Sequence, residues 1–284
     1  MEINKKFEDK GYVKFLAPAK INRFLKIISK RDDGYHNLQS CFQMIDLCDE
    51  IYFKVRDDNQ INLQYISKSF DNDLILKAAN KILNKTDLGI DIALNKKIPI
   101  GAGLGGGSSD AATTILALNK IFNLGFKLEQ LEEMGLTLGA DVPFFIRGQN
   151  AWVEGIGEKI TPIKLEEQTF LLAVPDVQIS TKQVFSSLKL TKNTIPLKMS
   201  ALISDDEIDT VPNDLEGVSL RLFPGLKDVK NWLMQYGQPK MTGTGSAFFC
   251  RIKKSCEQDL KFYDKPAKIT VFKIKSLKVH PFMA

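Results

Sequence analysis

The sequence contains few of the side chains on which metal and thiol chemistry depends. Its 284 residues include two histidines, His36 and His280, and four cysteines. No two cysteines form a C-x-x-C pair, so neither a zinc centre nor a catalytic Cys–His pair is expected. We expect the cysteines to be reduced and mostly packed in the interior; they are Cys41, Cys48, Cys250 and Cys256.

Long apolar runs and blocks of like charge are also missing. No apolar run approaches the roughly eighteen residues that cross a bilayer, and the polar segment Met1 to Lys10 has no signal-peptide core. We therefore expect a cytoplasmic protein that does not bind membranes. The net charge of +5 comes from scattered lysines, which favours an anionic small-molecule ligand and disfavours a nucleic-acid partner.

What the sequence does contain is a dense glycine segment. Five glycines lie between Gly101 and Gly107, and two serines and a helical pattern of apolar residues follow them. Glycine lets a backbone turn sharply and approach a ligand closely. With Ser108 or Ser109 as the predicted N-cap, the unpaired N–H groups and the positive end of the helix dipole would form an anion site, most often for phosphate.

This segment matches neither of the two common phosphate loops. Gly107 stands where a P-loop requires lysine. The pattern G-x-G-x-x-G is present from Gly101 to Gly106, but the segment 121–126 lacks the acidic residue that a dinucleotide site requires. A flexible glycine loop without a ligand is the alternative, which the predicted helix directly behind the loop disfavours.

Periodicity and turn residues predict a mixture of strands and helices. Strands are expected at 11–28, 38–47, 50–55, 89–94, 151–157, 168–174, 247–252 and 268–274. Helices are expected at 71–83, 111–122, 128–138, 181–189, 214–222 and 226–235, and the polar segment 189–209 is expected to be irregular. A change of composition near residue 160 predicts two domains, 1–160 and 161–284.

The segment around Asp141 is predicted to be a sharp junction. Gly139 is expected to end the preceding helix in the left-handed conformation. Pro143 is expected to keep Val142 out of helical geometry, which places Asp141 between two elements. A helix cap is the plain structural alternative for the Asp141 carboxylate.

Three short motifs occur in an order that resembles the GHMP kinases. They are Pro18-Ala-Lys-Ile-Asn22, the glycine loop from Gly101 to Ser109, and Thr242-Gly-Thr-Gly-Ser246. Two more, Asp33-Gly-Tyr-His36 and Gly139-Ala-Asp-Val-Pro143, resemble the branch of this family that acts on a cytidine-diphosphate sugar alcohol. The resemblance implies a two-domain α+β fold. The N-terminal domain would resemble the second domain of ribosomal protein S5, the C-terminal domain would be ferredoxin-like, and the active site would lie in the cleft between them.

The resemblance also implies an ATP-dependent kinase of small molecules. It would transfer the γ-phosphoryl group to the 2-hydroxyl of the cytidine-diphosphate sugar alcohol, a step of non-mevalonate isoprenoid precursor biosynthesis. Mg²⁺ would enter with ATP, held mainly by phosphates and water. Ser108 is a candidate protein ligand, and we assign none. A related kinase acting on mevalonate or homoserine is the nearest alternative, and a nucleotide-sensing regulator without catalysis is another. The protein would be a monomer or a homodimer.

Phosphoryl transfer requires a positioned hydroxyl, a group that accepts its proton, and stabilised negative charge. Asp141 is the candidate base. Lys20, which matches the lysine of the first family motif, would favour the ionised forms of both the hydroxyl and Asp141. Without that motif, Lys20 would be interpreted as a solvated strand lysine.

The remaining site residues follow from the same resemblance. Aromatic faces stack on a base and a histidine can donate to and accept from its edge, although aromatic core residues and a turn-capping histidine are the alternatives. The residues expected to bind the cytidylyl substrate are Asn22, Tyr35, His36, Phe42, Asp141, Thr181, Phe185 and Gly243. Those expected to bind ATP are Lys96, Pro99, Gly101, Gly103, Leu104, Gly105, Gly106, Gly107, Ser108 and Ser109. Asp73 is a further candidate, at a position where the family usually has asparagine.

Overall fold

The computed structural model describes residues 2–66, 74–189, 194–201, 204–252, 262 and 264–283. In these residues the helices are α1 (Glu2–Glu8), α2 (Leu74–Ile82), α3 (Gly106–Ile121), α4 (Leu128–Leu136), α5 (Val142–Arg147), α6 (Thr181–Ser186), α7 (Asp205–Thr210), α8 (Glu216–Leu222) and α9 (Leu226–Leu233), with a 3₁₀ helix at Met199–Ala201. The strands are β1 (Val13–Lys30), β2 (His36–Arg56), β3 (Ile61–Tyr65), β4 (Gly89–Asn95), β5 (Ala151–Gly155), β6 (Lys159–Pro162), β7 (Thr169–Pro175), β8 (Lys240–Met241), β9 (Phe248–Arg251) and β10 (Ile269–Lys275). Six short elements, α1, β3, α5, β6, α7 and β8, have no counterpart among the helices and strands predicted from the sequence.

The first sheet is built on the long antiparallel hairpin of β1 and β2. The other edge of β2 pairs with β5 and β4, β3 joins β4 in parallel, and β6 pairs with β5. The prediction of two strands at 38–47 and 50–55 is wrong, since β2 is continuous. Asp46 and Leu47, next to the predicted break, face a register shift between Pro18 and Ala19 in β1, and β2 continues past this irregularity.

Helices α2 to α5 supply the main core against the first sheet. Ile75 from α2, Ile115 from α3 and Phe144 from α5 share one buried cluster with Phe53 and Ile92 of the sheet. Burial of each such side chain contributes about 1.5–3 kcal/mol. None of the described helices is long and apolar enough to span a bilayer.

The second sheet has the antiparallel order β10-β7-β9-β8. Helices α8 and α9 contribute to one core with this sheet, in which Trp232 is buried. A separate cluster joins Phe170 of this sheet to Ile21 of the first sheet. Ala102 and Leu104, which alternate with the glycines of the glycine segment, are buried in the same cluster. Packing between the two sheets therefore anchors the glycine loop.

Two predictions at helix starts are wrong. Helix α3 begins at Gly106, and its N-cap is Gly105 in the left-handed conformation, with φ of 70°. Ser108 and Ser109 therefore lie inside the first turn and cap nothing. Val142 is helical, because Pro143 sits in the first turn of α5, where a missing N–H is tolerated.

The prediction for Gly139 is also wrong. Helix α4 ends at Leu136 with Thr137 as its C-cap, and Gly139 is not among the glycines with positive φ. The Thr137 hydroxyl donates to the Met134 carbonyl, which satisfies one of the free carbonyls at the helix end without a left-handed residue.

The segment 189–209 was expected to be irregular, but it contains α7. Ser204 and Glu207 form a capping box at its start. The fully buried Arg23 guanidinium of β1 pairs with Asp205 at 2.7 Å and with Asp209 at 2.8 Å. A buried charge is tolerated only when it is paired, so these contacts hold α7 against the first sheet.

The cysteines among the described residues are unpaired, as predicted. Cys41 and Cys250 are buried and Cys48 is half-buried, and all three are free thiols. Cys256 lies outside the described residues.

The C-terminal segment is held by a buried histidine. The His280 amide donates to the Gly148 carbonyl, and its Nδ1 accepts from the Phe282 amide. Because Nδ1 accepts, Nε2 carries the proton and faces the Thr113 hydroxyl at 3.3 Å. Both ring nitrogens of a neutral imidazole are thus used, and burial lowers the pKa of His280 to about 4.

This depressed pKa predicts an acid-sensitive stability. Below pH 6.5, the ordinary value, the unfolded chain binds a proton at His280 that the folded chain does not bind until about pH 4. As pH falls from 6.5 to about 4, the native chain should therefore lose free energy of unfolding. The loss should be on the order of 3 kcal/mol larger than in His280→Gln, which has no imidazole to protonate. Urea unfolding at several pH values measures it; parallel curves for the two proteins would contradict the assignment.

Candidate active site

A cavity of about 1290 Å³ opens where the glycine loop, the β1–β2 hairpin, α6 and the loop after β8 meet. With one exception, the site residues predicted from the sequence line it: Lys20, Asn22, Tyr35, His36, Phe42, Lys96, Pro99, Gly101, Gly103, Leu104, Gly105, Gly106, Gly107, Ser108, Asp141, Thr181, Phe185 and Gly243. Residues far apart in sequence thus face one space. Asp73 lies outside the described residues.

The exception is Ser109, which is fully buried and does not line the cavity. Its amide is the first in α3 to bond within the helix, to the Gly105 carbonyl at 2.9 Å. The Ser109 amide is therefore used within the helix, and the Ser109 Oγ is buried without a hydrogen-bond partner among the described residues, so the cavity lining gives the expected contact of Ser109 with ATP no support. By the same geometry, the amides of Gly106, Gly107 and Ser108 precede the first intrahelical bond and have no carbonyl four residues back.

Those three amides and the dipole of α3 make its N-terminus an anion site at the cavity wall. The glycines in front of it are conformationally required, since Gly101, Gly103 and Gly105 all have φ near 70°. A Cβ on Gly105 would lie 3.1 Å from both the Lys20 side chain and the Phe145 ring.

The glycine loop, Gly101 to Ser109, and a second glycine loop, Thr242 to Ser246, come so close that their backbones are in contact. A Cβ on Gly103 would lie 2.2 Å from the Thr242 carbonyl oxygen. The Thr242 hydroxyl donates to the Gly103 carbonyl at 3.2 Å and accepts from the Asn22 amide at 2.9 Å. The Asn213 side chain donates to the Met241 and Gly243 carbonyls, each at 2.8 Å. The second loop is therefore fixed on both sides.

Lys20 lies at the centre of this end of the cavity. Its Nζ donates to the Asn22 Oδ1 at 2.6 Å and is 3.4 Å from the Asp141 Oδ2. It also lies 4.6 Å from the centroid of the Phe42 ring, a cation–π distance. Its amide donates to the Leu104 carbonyl at 3.0 Å. Lys20 is buried, which excludes the alternative of a solvated strand lysine.

Asp141 occupies the N-cap position of α5, but its side chain makes no capping hydrogen bond. The carboxylate instead faces the Lys20 ammonium, and its side chain is 30% exposed. The carboxylate therefore has an ion-pair partner and an open side, an arrangement that suits contact with a ligand.

An aromatic group lies at another part of the cavity wall. The His36 and Phe185 rings have centroids 5.3 Å apart and are inclined by 32°. Tyr35, beside them, is 61% exposed. Burial, and then the charge of Lys30, lowers the pKa of His36, which favours a neutral ring that both donates and accepts. The Thr181 hydroxyl is 3.2 Å from that of Thr244, which joins α6 to the second glycine loop.

Lys96 belongs to a buried cluster that the sequence predictions missed. Its Nζ contacts Asp49 at 2.6 Å and Asp110 at 2.5 Å. Burial opposes the charge on Lys96, but the attraction of Asp110 and Asp49 outweighs it and raises the pKa of Lys96. The Asp49 carboxylate also accepts from the amides of Lys97 and Ile98. A charged residue at an otherwise buried position of α3, Asp110, is the sequence signal that could have indicated the cluster.

Comparisons with known proteins agree on the family. The model of the GHMP kinases N terminal domain matches residues 73–149. A protein of Herminiimonas arsenicoxydans named 4-diphosphocytidyl-2-C-methyl-D-erythritol kinase is 45% identical over 93% of this chain and 95% of its own length. A protein of the same name from Janthinobacterium sp. (strain Marseille) is 43% identical over 93% of this chain and 94% of its own.

Solved structures agree with these sequence matches. A crystal structure of 4-(cytidine 5'-diphospho)-2C-methyl-D-erythritol kinase is 30% identical, with a TM-score of 0.78 over 93% of this chain and 100% of that one. A crystal structure of mevalonate kinase is 18% identical, with a TM-score of 0.69 over 93% of this chain and 99% of that one. At this identity the likeness is evidence for a shared fold and for nothing more. The predicted α+β GHMP kinase fold is confirmed.

The close approach of the two loops predicts a strong dependence on Gly103. In Gly103→Ala the new methyl group would meet the Thr242 carbonyl, and the residue would have to keep φ of 76°. We expect a loss of about 2–3 kcal/mol in the free energy of unfolding, measured by urea denaturation.

Gly107→Ala is the matched control. Its Cβ would lie 3.7 Å from a methyl carbon of Leu74, an ordinary contact, at a helical position without positive φ. Its stability should stay the same or rise by up to about 1 kcal/mol. Equal stabilities for the two alanine variants would mean that the loops are not in contact.

Proposed function

This chain belongs to the 4-diphosphocytidyl-2-C-methyl-D-erythritol kinase family, and we infer that it transfers the γ-phosphoryl group of ATP to the 2-hydroxyl of 4-diphosphocytidyl-2-C-methyl-D-erythritol. The reaction belongs to non-mevalonate isoprenoid precursor biosynthesis. One observation carries the residue assignment: a single cavity contains the N-terminus of α3, the Lys20–Asp141 pair and the His36–Phe185 pair. These correspond to a phosphate site, a proton-transfer site and a base site.

The ATP phosphates bind at the start of α3 in this proposal. The amides of Gly106, Gly107 and Ser108 and the helix dipole supply positive potential, and the left-handed glycines let the backbone come close to the phosphate oxygens. Lys96 lies behind Gly106, where a Cβ would be 3.1 Å from its Nζ, and its charge is compensated by Asp49 and Asp110, so the helix start supplies the positive potential here.

Asp141 accepts the proton of the attacking hydroxyl. As the hydroxyl oxygen forms its bond to the γ-phosphorus, the bond from that phosphorus to the bridging oxygen breaks, and ADP leaves with the electron pair. Lys20 stabilises the negative charge that develops on the attacking oxygen and forms an ion pair with the Asp141 carboxylate at 3.4 Å. Asn22 holds the Lys20 ammonium at 2.6 Å and fixes its direction.

The cytosine of the acceptor lies against His36, Phe185 and the exposed Tyr35 ring. Stacking on an aromatic face contributes about 1–3 kcal/mol per base in single-stranded nucleic-acid sites. Phe42 contacts Lys20 and Phe144, so we assign it the role of supporting the ammonium and not of stacking on the base.

Mg²⁺ enters with ATP in this proposal. No group of three or more His, Cys, Asp or Glu side chains that could hold a metal ion occurs among the described residues. This fits an ion held mainly by phosphate oxygens and water, as Mg²⁺ commonly is. Ser108, which lines the cavity, offers a protein oxygen for it. The bound ion would neutralise part of the negative charge on the ATP phosphates.

We also propose the division of the chain near residue 160. The first sheet ends with β6 at Pro162 and the second begins with β7 at Thr169, which supports a boundary between them. The cavity receives residues from both sides of this boundary, such as Asp141 and Phe185.

Removal of the Asp141 charge tests the proton-transfer step. Asp141→Asn should lower kcat by about 100-fold or more, as loss of a general base does. The variant should stay folded but lose some stability, because the buried Lys20 ammonium loses its carboxylate partner and keeps Asn22, while asparagine is tolerated at an N-cap. Asp228→Asn, which changes an exposed aspartate of α9 that does not line the cavity, is the control. Near-normal turnover of Asp141→Asn would remove Asp141 from the mechanism.

Acceptor preference tests the reaction itself. Purified protein with labelled ATP should phosphorylate 4-diphosphocytidyl-2-C-methyl-D-erythritol with kcat/KM at least about 100-fold above that for mevalonate or homoserine, because only the first places a base against His36 and Phe185. Preference for mevalonate would favour the related kinase. ATP binding without transfer to any acceptor would favour a nucleotide-sensing regulator.

A further inference from the structure

Four lysines line the cavity, and two of them are in ion pairs. Lys20 faces Asp141, and Lys96 lies between Asp49 and Asp110. Pairing of this kind is expected for buried charges, which are costly without a partner. These two lysines therefore bring no uncompensated positive charge to the empty space.

The other two lysines, Lys30 and Lys182, differ from them. Both are exposed at the cavity wall, and neither forms an ion pair with a carboxylate in the described ranges. The carboxylate nearest in sequence that lines the cavity, Asp33, is already paired with Arg31 at 2.8 Å. The wall therefore carries two positive charges that are free to meet an anionic ligand.

Both free lysines are next to the aromatic pair. Lys30 is paired with His36 across the β1–β2 hairpin, and its charge contributes to the environment of the His36 ring. Lys182 lies in α6, three residues before Phe185, so the two share a helix face. The residue before it, Thr181, contacts the second glycine loop through Thr244. Lys30 and Lys182 thus lie on two different elements around the base site.

We propose that Lys30 and Lys182 bind the diphosphate of the cytidine-diphosphate acceptor and select a nucleoside diphosphate ester over an uncharged nucleoside. The proposal rests on the proposed function for the orientation of the acceptor. A base held at His36 and Phe185 places the attached ribose and phosphates within the surrounding wall. Lysine suits this task because its compact charge sits on a flexible chain that adapts to phosphate oxygens.

The test compares a charged and an uncharged probe. Binding of CDP and of cytidine is measured by calorimetry with the ATP site saturated by a non-hydrolysable ATP analogue. The proteins are Lys30→Gln, Lys182→Gln, the double variant, and Lys227→Gln as a control that removes one exposed charge remote from the cavity. Glutamine keeps most of the side-chain length, and both target residues are exposed, so folding should be preserved.

We expect the Kd of CDP to rise about three- to tenfold in each single variant, more in the double variant, and not in the control. The Kd of cytidine should stay within about twofold, because the base contacts are unchanged. The affinity of the native chain for CDP should fall with added salt, and that of the double variant should fall less.

Equal weakening of CDP and cytidine would overturn the proposal, since it would indicate a structural role, and so would unchanged CDP binding. The outcome is independent of the acceptor assay. Selective loss of CDP affinity in a protein that fails to phosphorylate the cytidylylated methylerythritol would support the diphosphate site while removing the proposed reaction. Normal phosphorylation together with unchanged CDP binding in the lysine variants would support the proposed reaction and remove the diphosphate site.

Discussion

The buried ammonium of Lys20 is the group on which the catalytic end of the cavity depends. Its amide is tied to the glycine loop through the Leu104 carbonyl, and its Nζ contacts Asn22 and Asp141. A lysine this buried must be paired, so Asp141 and Asn22 are constrained in position as much as Lys20 is. The same contacts that make the charge tolerable place a carboxylate and an ammonium side by side at the cavity wall.

A second constraint is the space in which these groups meet. Gly105 leaves room for the Lys20 side chain, and Gly103 leaves room for the Thr242 carbonyl. The residues between and before these glycines, Ala102 and Leu104, are buried in the core that joins the two sheets. The loop therefore alternates between positions that anchor it and positions that must have no side chain. The glycines of this loop therefore meet a steric need, and buried neighbours anchor the backbone on which they lie.

Sequence alone could predict the local features of this arrangement. The helix behind the glycines, the position of Asp141 at a junction between two elements, and most strands follow from periodicity and turn residues, whereas the helix that begins at Val142 does not. The N-cap was misassigned because serine is a good cap in general, whereas here left-handed Gly105 takes the position. The partners of Arg23, Lys96 and Asn213 were not predicted, since each contact joins distant segments and a single sequence gives no signal for such pairs.

The distribution of charge around the cavity follows from burial. Where the wall is closed, at Lys20 and Lys96, each ammonium has a carboxylate, because an unpaired charge there would cost several kcal/mol in desolvation. Where the wall opens to solvent, at Lys30 and Lys182, water stabilises the ammonium groups and no carboxylate is needed. Uncompensated positive charge is thus confined to the exposed part of the wall, beside the aromatic pair. A ligand with an apolar ring and an anionic tail satisfies both features at once, and an uncharged ring satisfies only one.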